Sequence, residues 1–383
     1  MLATDSIRSK SRLVQRDEAS PETGHESTPD VHASAEQTEG VLYLGIDLGT
    51  SRTSVSASNG VRESMPSFVG YPKDVVSRKL LKKDVLFGDE AIEKRLSLDL
   101  YRPLGKGVIK GSNGTQDGNG TEDSANLRAA RDLINEVIRR ARPRKDELIY
   151  AVIGVPAQAG INNKEAIIEA AKATVDSVML CSEPFSVAYG LDMLDDVLVI
   201  DIGAGTVDLC RMHGTMPEET DQLTLTCGGD FVDEKFAENV RAKYPDAQFT
   251  VQMVRSIKER FSSVAEQMEP CIVNLPVTGR PQSFDLTAEL RAACRAMVPP
   301  IVEGLGNLVA TFDPEFQDRL KNRVLLAGGG SQIKGLDSAI QGEMHRELGG
   351  GRVIRIEEPI YGGANGALKI AHDMPEDYWE QLK

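Results

Sequence analysis

The sequence predicts an α/β protein built from two similar lobes, and three observations carry that expectation. A chain of 383 residues with 40% hydrophobic content is long enough for two cores. Apolar, strand-like runs alternate with a helical pattern between residues 148 and 175. One strand, turn and strand device occurs twice, once around Asp47 and again around Asp201.

The elements follow in order. Residues 1–40 are rich in Ser, Thr, Glu, Asp and Pro, contain no aromatic residue, and read as a disordered tail. Arg8, Lys10, Arg12 and Arg16 accompany Leu2, Ile7, Leu13 and Val14 there, the composition of a weak amphipathic helix, although a solvated tail fits the segment better. Order is expected to begin at VLYLGIDLGTSRTSVSAS, where an apolar run over 41–48, a turn of small residues and alternation over 52–58 describe a strand hairpin. GSNGTQDGNG (111–120) reads as a solvent loop inserted before the helix LRAARDLINEVIRRA. LIYAVIGVP (148–156) reads as a core strand and NNKEAIIEAAKATV (162–175) as an amphipathic helix with an Asn cap. In SEPFSVAYGL (182–191), Ser182 and Pro184 suit a first helical turn, which sets Glu183 beside a positive helix end. DVLVIDIGAGTVDLCRM (196–212) then repeats the first hairpin, and VLLAGGGSQIKG (324–335) runs from an apolar strand through three glycines into a helix.

Composition narrows the function classes. With 44 basic and 58 acidic residues the net charge is −14, so the chain lacks the electrostatic footprint of a nucleic-acid binder or of general adhesion to anionic lipid. The five cysteines are odd in number, widely spaced and form no CxxC, which argues against a disulfide framework or a zinc site and for a reducing cytoplasm. No apolar run approaches the roughly 18 to 20 residues of a membrane span, and the polar N-terminus has no signal-peptide core.

The repeated hairpins carry the chemistry. IDLGTSRTSV (46–55) and IDIGAGTVDL (200–209) share a strand, an Asp, one further residue, a Gly and a hydroxyl-bearing turn. Two such turns facing across a cleft present backbone N–H groups to a polyphosphate from both sides, because Gly permits close backbone approach. The aspartates at the strand ends then sit beside a phosphate-bound Mg²⁺, held mostly through its waters. A glycine turn in a hairpin is otherwise an ordinary structural feature, and the repetition is what favours a ligand. The GGG run is no Walker A loop, because no GKS or GKT follows, and no GxGxxG opens a βαβ unit.

These residues resemble the motifs of the actin, sugar kinase and heat-shock chaperone ATPase superfamily. IDLGTSRTSV is similar to its first phosphate motif, DIGAGTVDL to its second and LLAGGGSQIKG to its adenosine motif, while SEPFSVAYGL and YGGANGALKIA (361–371) resemble its two connecting helices. All five occur in the family's order. The resemblance implies an actin-like fold of two duplicated ribonuclease-H-like lobes, each with a small subdomain, and a nucleotide in the central cleft. Lobe I is expected over 41–185 with its subdomain at about 74–104, lobe II over 186–354 with its subdomain at about 229–285, and a segment over 355–383 returning to lobe I. FGDEAIEKRLSLDLYRPLGKGVI and SFVGYPKDVVSRKLLKKDVLFGDEA narrow the likeness to bacterial actins, and within them to the magnetosome-associated actins.

The resemblance also assigns roles. It implies ATP or ADP with Mg²⁺ as cofactors, Asp47 and Asp201 organising the metal and its waters, and Gly49, Thr50, Ser51, Arg52, Gly203, Ala204, Gly205 and Thr206 forming the phosphate loops. Lys258 and Glu259 fall at the adenine and ribose, and Gly328, Gly329, Gly330 and Ser331 close over the other side of the nucleoside. Glu183 and Asp201 are the implied catalytic residues, Glu183 positioning the water that attacks the γ-phosphate and Asp201 acting through the metal. The implied function is a cytoplasmic filament of head-to-tail subunits that aligns and segregates magnetosomes, with magnetosome-associated proteins as partners and no membrane insertion. A cell-shape actin at the membrane is the alternative. A sugar kinase is disfavoured because no second constellation of carboxylates or His supplies a base for a sugar hydroxyl, with His213 read as incidental. A chaperone reading is disfavoured because no segment remains for a substrate domain before Lys383.

Overall fold

The computed structural model describes residues 40–111 and 120–382, and ten of its strands form two five-stranded sheets of one connectivity. The first sheet contains β1 (Gly40–Leu48), β2 (Arg52–Ala57), β3 (Arg62–Pro66), β4 (Glu147–Val155) and β5 (Ser177–Ser182), in the order β5-β4-β1-β2-β3. β1, β2 and β3 form an antiparallel meander, β4 lies parallel to β1, and β5 lies parallel to β4. The second sheet repeats this with β6 (Val197–Ile202), β7 (Val207–Met212), β8 (Gln222–Leu225), β9 (Val324–Ala327) and β10 (Val353–Arg355), in the order β8-β7-β6-β9-β10. Again a meander of three strands carries two parallel strands beside its first. The duplication visible in two short motifs therefore extends to whole sheets. β6 is buried at every position, which explains why VLVIDI reads as a continuous apolar run rather than an alternation.

Helices cover the sheets. α1 (Gly120–Arg140) and α2 (Ile161–Ala171) pack on the first, where α2 makes the crossover from β4 to β5. The helix expected over 162–175 thus starts earlier and stops sooner. Its Asn cap is also incorrect: Gly160 precedes the helix without a side-chain cap, and Asn163 is buried with its Oδ1 accepting from the Ile109 N–H at 2.8 Å. The amide oxygen anchors a neighbouring strand, so it is engaged by tertiary structure rather than by the helix end. The tail expected over 1–40 ends one residue early, since Gly40 already pairs with Glu147. The amphipathic reading of the first sixteen residues, and the interior of the 111–120 loop, lie outside the described residues.

α3 (Glu183–Gly190) leaves β5 and packs on β6 and β7 of the second sheet. In the second half α4 (Gly229–Lys243), α5 (Val251–Phe261) and α6 (Leu336–Leu348) build the core around the second sheet, and α7 (Gly362–Asp373) crosses back onto β1. The two sheets thus exchange helices, and the exchange depends on glycine. A Cβ on Gly190 would lie 2.9 Å from Gly366 Cα, and one on Gly366 would overlap the Ser186 carbonyl. Around this crossing Tyr150, Val152, Phe185, Val187, Val199, Leu325 and Ile370 form a buried cluster shared by both sheets. Trp379 closes it, stacked on Tyr150 at 5.1 Å with its Nε1–H donating to the Ala371 carbonyl. Among the described residues three smaller sheets complete the set: one of Val69–Pro72, Leu86–Phe87 and Leu98–Tyr101, a short hairpin of Leu104–Gly105 and Val108–Ile109, and a hairpin of Ile272–Val277 and Arg280–Asp285.

The helix crossing yields a comparison of two helical glycines. Gly366→Ala should lower the free energy of urea unfolding by at least about 2 kcal/mol, because backbone must move to admit one methyl group. Gly342 on α6 has no neighbour near its Cβ position, and Gly342→Ala should be neutral or stabilising by about 0.5–1 kcal/mol. Equal losses at both positions would remove the close crossing as a constraint.

Candidate functional site: a glycine-lined cleft with four buried acids

The two hairpin turns meet in one cavity of about 530 Å³. β1 ends at Leu48 and β2 begins at Arg52, so Gly49, Thr50 and Ser51 make the first turn, while Gly203, Ala204, Gly205 and Thr206 make the second between β6 and β7. Neither turn is free to spread. The Gly203 N–H donates to the Thr206 carbonyl at 2.9 Å, and the first N–H groups of α4 bind the outer carbonyls, Gly229 to Gly203 at 3.0 Å and Asp230 to Ala204 at 2.7 Å. Gly205 lies so close to the first turn that a Cβ would sit 2.6 Å from Thr50 Oγ1 and 2.7 Å from Lys106 Cα. A side chain here would force the turns apart, which is why the position requires glycine. Among the described residues the N–H groups of Thr50, Ser51, Ala204 and Gly205 make no hydrogen bond within the protein. Two sets of unpaired backbone donors on a shared cavity fit a polyphosphate.

Carboxylates occupy the floor. Asp47 pairs in register with Ser54, and Asp201 holds the equivalent place opposite Asp208. Asp47, Asp201 and Glu183, the first residue of α3, line the cavity, and Asp208 lies just behind. Burial pushes Asp47 up to about 6. Burial and then Asp47 and Asp208 raise Asp201 well above the carboxylate range, and burial followed by Asp47, Asp208 and Asp201 does the same for Glu183. Asp208 is raised by burial against the opposing effect of its hydrogen bonds. None of the four has an ion-pair partner among the described residues. Like charges so placed cannot all ionise without a cation. No three acidic, His or Cys side chains among the described residues form a closed ligand set, so this donor set suits a divalent ion that keeps most of its waters and rests on bound phosphate. Asp208 has a second task, since its Oδ1 accepts from the Ala157 N–H at 2.9 Å and the Thr224 hydroxyl at 2.6 Å, tying β7 to the end of β4.

Gly328, Gly329, Gly330, Lys258 and Glu259 line the remaining wall. Gly328 has φ +77° and presses against the Ile202 carbonyl, a conformation and an approach open to glycine alone. Ser331 is the exception among the candidates: it is buried, and its hydroxyl turns away to donate to the Gly328 carbonyl at 2.7 Å, so it shapes the glycine turn rather than the wall. The Lys258 ammonium binds the Gly229 carbonyl at 2.7 Å and pairs with Asp233 at 2.8 Å, which leaves its stem on the cavity. Arg52 lines the mouth with no carboxylate partner among the described residues. Sequence reasoning missed several lining residues, among them Asp230, Arg255, Met297, Gln332, Ile333 and Pro359. Only Asp230 had a local signal, as the acid following the Gly228–Gly229 pair at a helix start. His213, set aside as incidental, stands 3.3 Å from Asp221 within the buried Arg211–Asp221 pair, away from the cavity.

Comparison with known proteins agrees with this arrangement. Residues 42–377 match the model of the MreB/Mbl protein family. The actin-like protein MamK of Paramagnetospirillum magneticum is 38% identical over 346 residues, covering 90% of this chain and 96% of that protein. The solved MamK double helical filament superposes with a TM-score of 0.82 at 38% identity, covering 88% of this chain and all of that one. A non-polymerising MamK mutant bound to AMPPNP matches at 0.65 over the same shares.

The acid cluster sets a pH dependence. Carboxylates with raised folded pKa values bind protons more tightly when folded, so unliganded stability is highest at low pH and falls as pH rises from about 4 through Asp47's value of about 6 and beyond, where Asp201 and Glu183 titrate. Thermal unfolding of the nucleotide-free protein should therefore show Tm falling from pH 5.5 to 8. Asp201→Asn should raise Tm at pH 8 by several degrees while abolishing the further stabilisation that Mg²⁺ with nucleotide confers. A flat profile would contradict the mutual repulsion.

Proposed function

Because the chain belongs to the MreB/Mbl family of bacterial actin-like proteins, we propose that it is an ATPase that polymerises. It binds ATP in the cleft between its sheets, hydrolyses it to ADP and phosphate, and assembles head to tail into cytoplasmic filaments that align, position and segregate magnetosomes. The observation that carries the ATPase reading is the meeting of both glycine turns with Asp47, Glu183 and Asp201 on one cavity. Likeness to MamK over 90% of the chain supports the filament and its magnetosome role.

Residue roles follow from position. Backbone donors of Gly49–Arg52 and Gly203–Thr206 hold the phosphates, and the glycine turn at Gly328–Gly330 with Lys258 and Glu259 flanks the nucleoside. Asp47 and Asp201 accept from the waters of a bound Mg²⁺, which neutralises charge on the transferred phosphoryl group. Glu183 faces the same space from the positive end of α3 and orients the attacking water in line with the leaving ADP. Hydrolysis loosens the lattice only by the difference in contacts between the ATP and ADP states, which makes the reaction a timer for disassembly. Subunits meet through unlike surfaces, because only contacts that fail to close propagate a filament.

A membrane-bound cell-shape actin is the second reading, and one observation favours it. Val75, Val76, Leu80 and Leu96 are exposed beside Lys73, Arg78 and Lys79, an apolar patch with a basic rim on an otherwise acidic chain.

Sedimentation of the protein with Mg²⁺ and ATP, ADP or no nucleotide, alongside phosphate release, tests these roles. The wild type should pellet with ATP and return to the supernatant as phosphate appears, while Glu183→Ala should pellet and release phosphate at least about 100-fold more slowly. Normal release from the variant would remove Glu183 from the mechanism, and absence of any pellet would overturn the filament. Flotation of the wild type with anionic vesicles would favour the membrane reading.

A further inference from the structure

Arg102 stands outside the nucleotide cavity, yet it touches the first phosphate turn directly and reaches the second through Asp230. It lies between the Leu98–Tyr101 and Leu104–Gly105 strands of two of the smaller sheets. Its Nε donates to the Thr50 carbonyl at 2.8 Å, inside the first turn. Its two terminal nitrogens grip Asp230 end on, Nη1 to Oδ2 at 2.7 Å and Nη2 to Oδ1 at 3.1 Å. Asp230 in turn donates its N–H to the Ala204 carbonyl at 2.7 Å, inside the second turn. One continuous path therefore links Thr50 to Ala204 through a guanidinium, a carboxylate and a backbone amide.

The path is braced on both sides. On the first turn, Thr50 Oγ1 accepts from the Gly107 N–H at 2.9 Å, which fixes the residue whose carbonyl Arg102 holds. On the second, Arg255 donates to Asp230 at 3.1 Å and to Asp233 at 3.3 Å, and Lys258 pairs with Asp233. Three cations and two carboxylates make this network, so one positive charge is left over next to the turns and their unpaired backbone donors. Arg102 and Asp230 are both largely shielded from solvent, which separates this pair from a surface ion pair of little consequence.

We propose that Arg102 is a positioning residue for ATP hydrolysis, one that sets the spacing of the two phosphate turns through Thr50 and Asp230. The proposal rests on the reading of the cleft as an ATPase site. The nucleoside wall of Lys258, Glu259 and Gly328–Gly330 and the donors of each turn taken singly all remain when Arg102 is removed, so binding depends less than chemistry on the spacing between the turns. In-line attack tolerates far less, since a displacement of about 1 Å costs on the order of 100-fold in rate. Loss of Arg102 therefore separates binding from chemistry. Lysine is no substitute, because a single ammonium on a flexible stem cannot hold a carbonyl and both oxygens of a carboxylate at once.

The test compares the full-length wild type, Arg102→Lys, Arg102→Ala, Asp230→Asn and the double variant Arg102→Ala/Asp230→Asn. Mg–ATP affinity is measured by titration below the concentration at which the protein pellets, single-turnover phosphate release by a phosphate sensor, and Tm by calorimetry. Arg102→Lys and Arg102→Ala should both release phosphate at least about 30-fold more slowly with affinity within about threefold of wild type, and Asp230→Asn should add little in the Arg102→Ala background. Wild-type release rates in both Arg102 variants, or full rescue by lysine, would overturn the relay. Parallel losses of rate, affinity and Tm would reduce the residue to a structural brace, and if Arg102→Ala fails to fold, Arg102→Lys decides alone. A wild type that binds no ATP would sink the ATPase reading itself, and the relay with it.

Discussion

Four buried carboxylates that cannot all be charged at once set the terms for the rest of this molecule. Asp47, Glu183, Asp201 and Asp208 come from three different strands and one helix start; burial raises the cost of ionising all four, and the charges of Asp47 and Asp208 raise it further for Asp201 and Glu183. A fold would shed such a cluster unless something offset the repulsion. Unpaired backbone donors on the facing turns suit an anion, and an anion arriving with its own divalent cation would offset the repulsion. Cation and anion are then interdependent, because the acids need the metal and the metal needs phosphate to complete its shell.

That interdependence explains why the frame is built as it is. A site shared between two lobes has to be held by both, and the duplicated sheets place Asp47 and Asp201 at equivalent register positions on their first strands. The exchange of α3 and α7 ties the lobes together beneath the site, where glycines at 190 and 366 let the helices touch. Above it, Gly205 against Thr50 and the Arg102–Asp230 pair bring the turns to a fixed separation. The lower contact is apolar and permanent, whereas the upper one is ionic and sits beside the ligand.

Much of this was legible in the sequence, for a physical reason. Both hairpins and the third glycine run were readable because backbone proximity permits few residues at Gly205 and Gly328, so the constraint is written locally. Glu183 was readable through Pro184, which marks a helix start. What escaped reading depends on partners distant in the chain. Arg102 and Arg255 look like ordinary surface cations until the fold brings Asp230 to them. The Asn162–Asn163 pair reads as a helix cap because the local pattern cannot show that the Ile109 amide binds the Asn163 side chain. Ser331 has the residue type of a ligand contact, but its hydroxyl is captured by the backbone three residues earlier.

The most direct test of the central claim is calorimetric titration of ATP into the nucleotide-free protein at pH 7.5, with Mg²⁺ and again with EDTA. If the acids and the turns form one site that takes metal and phosphate together, one ATP binds per chain with Mg²⁺ and affinity falls at least about tenfold in EDTA. Equal affinity under both conditions would contradict the account, because the four carboxylates would then be repelling a bare polyphosphate without measurable cost.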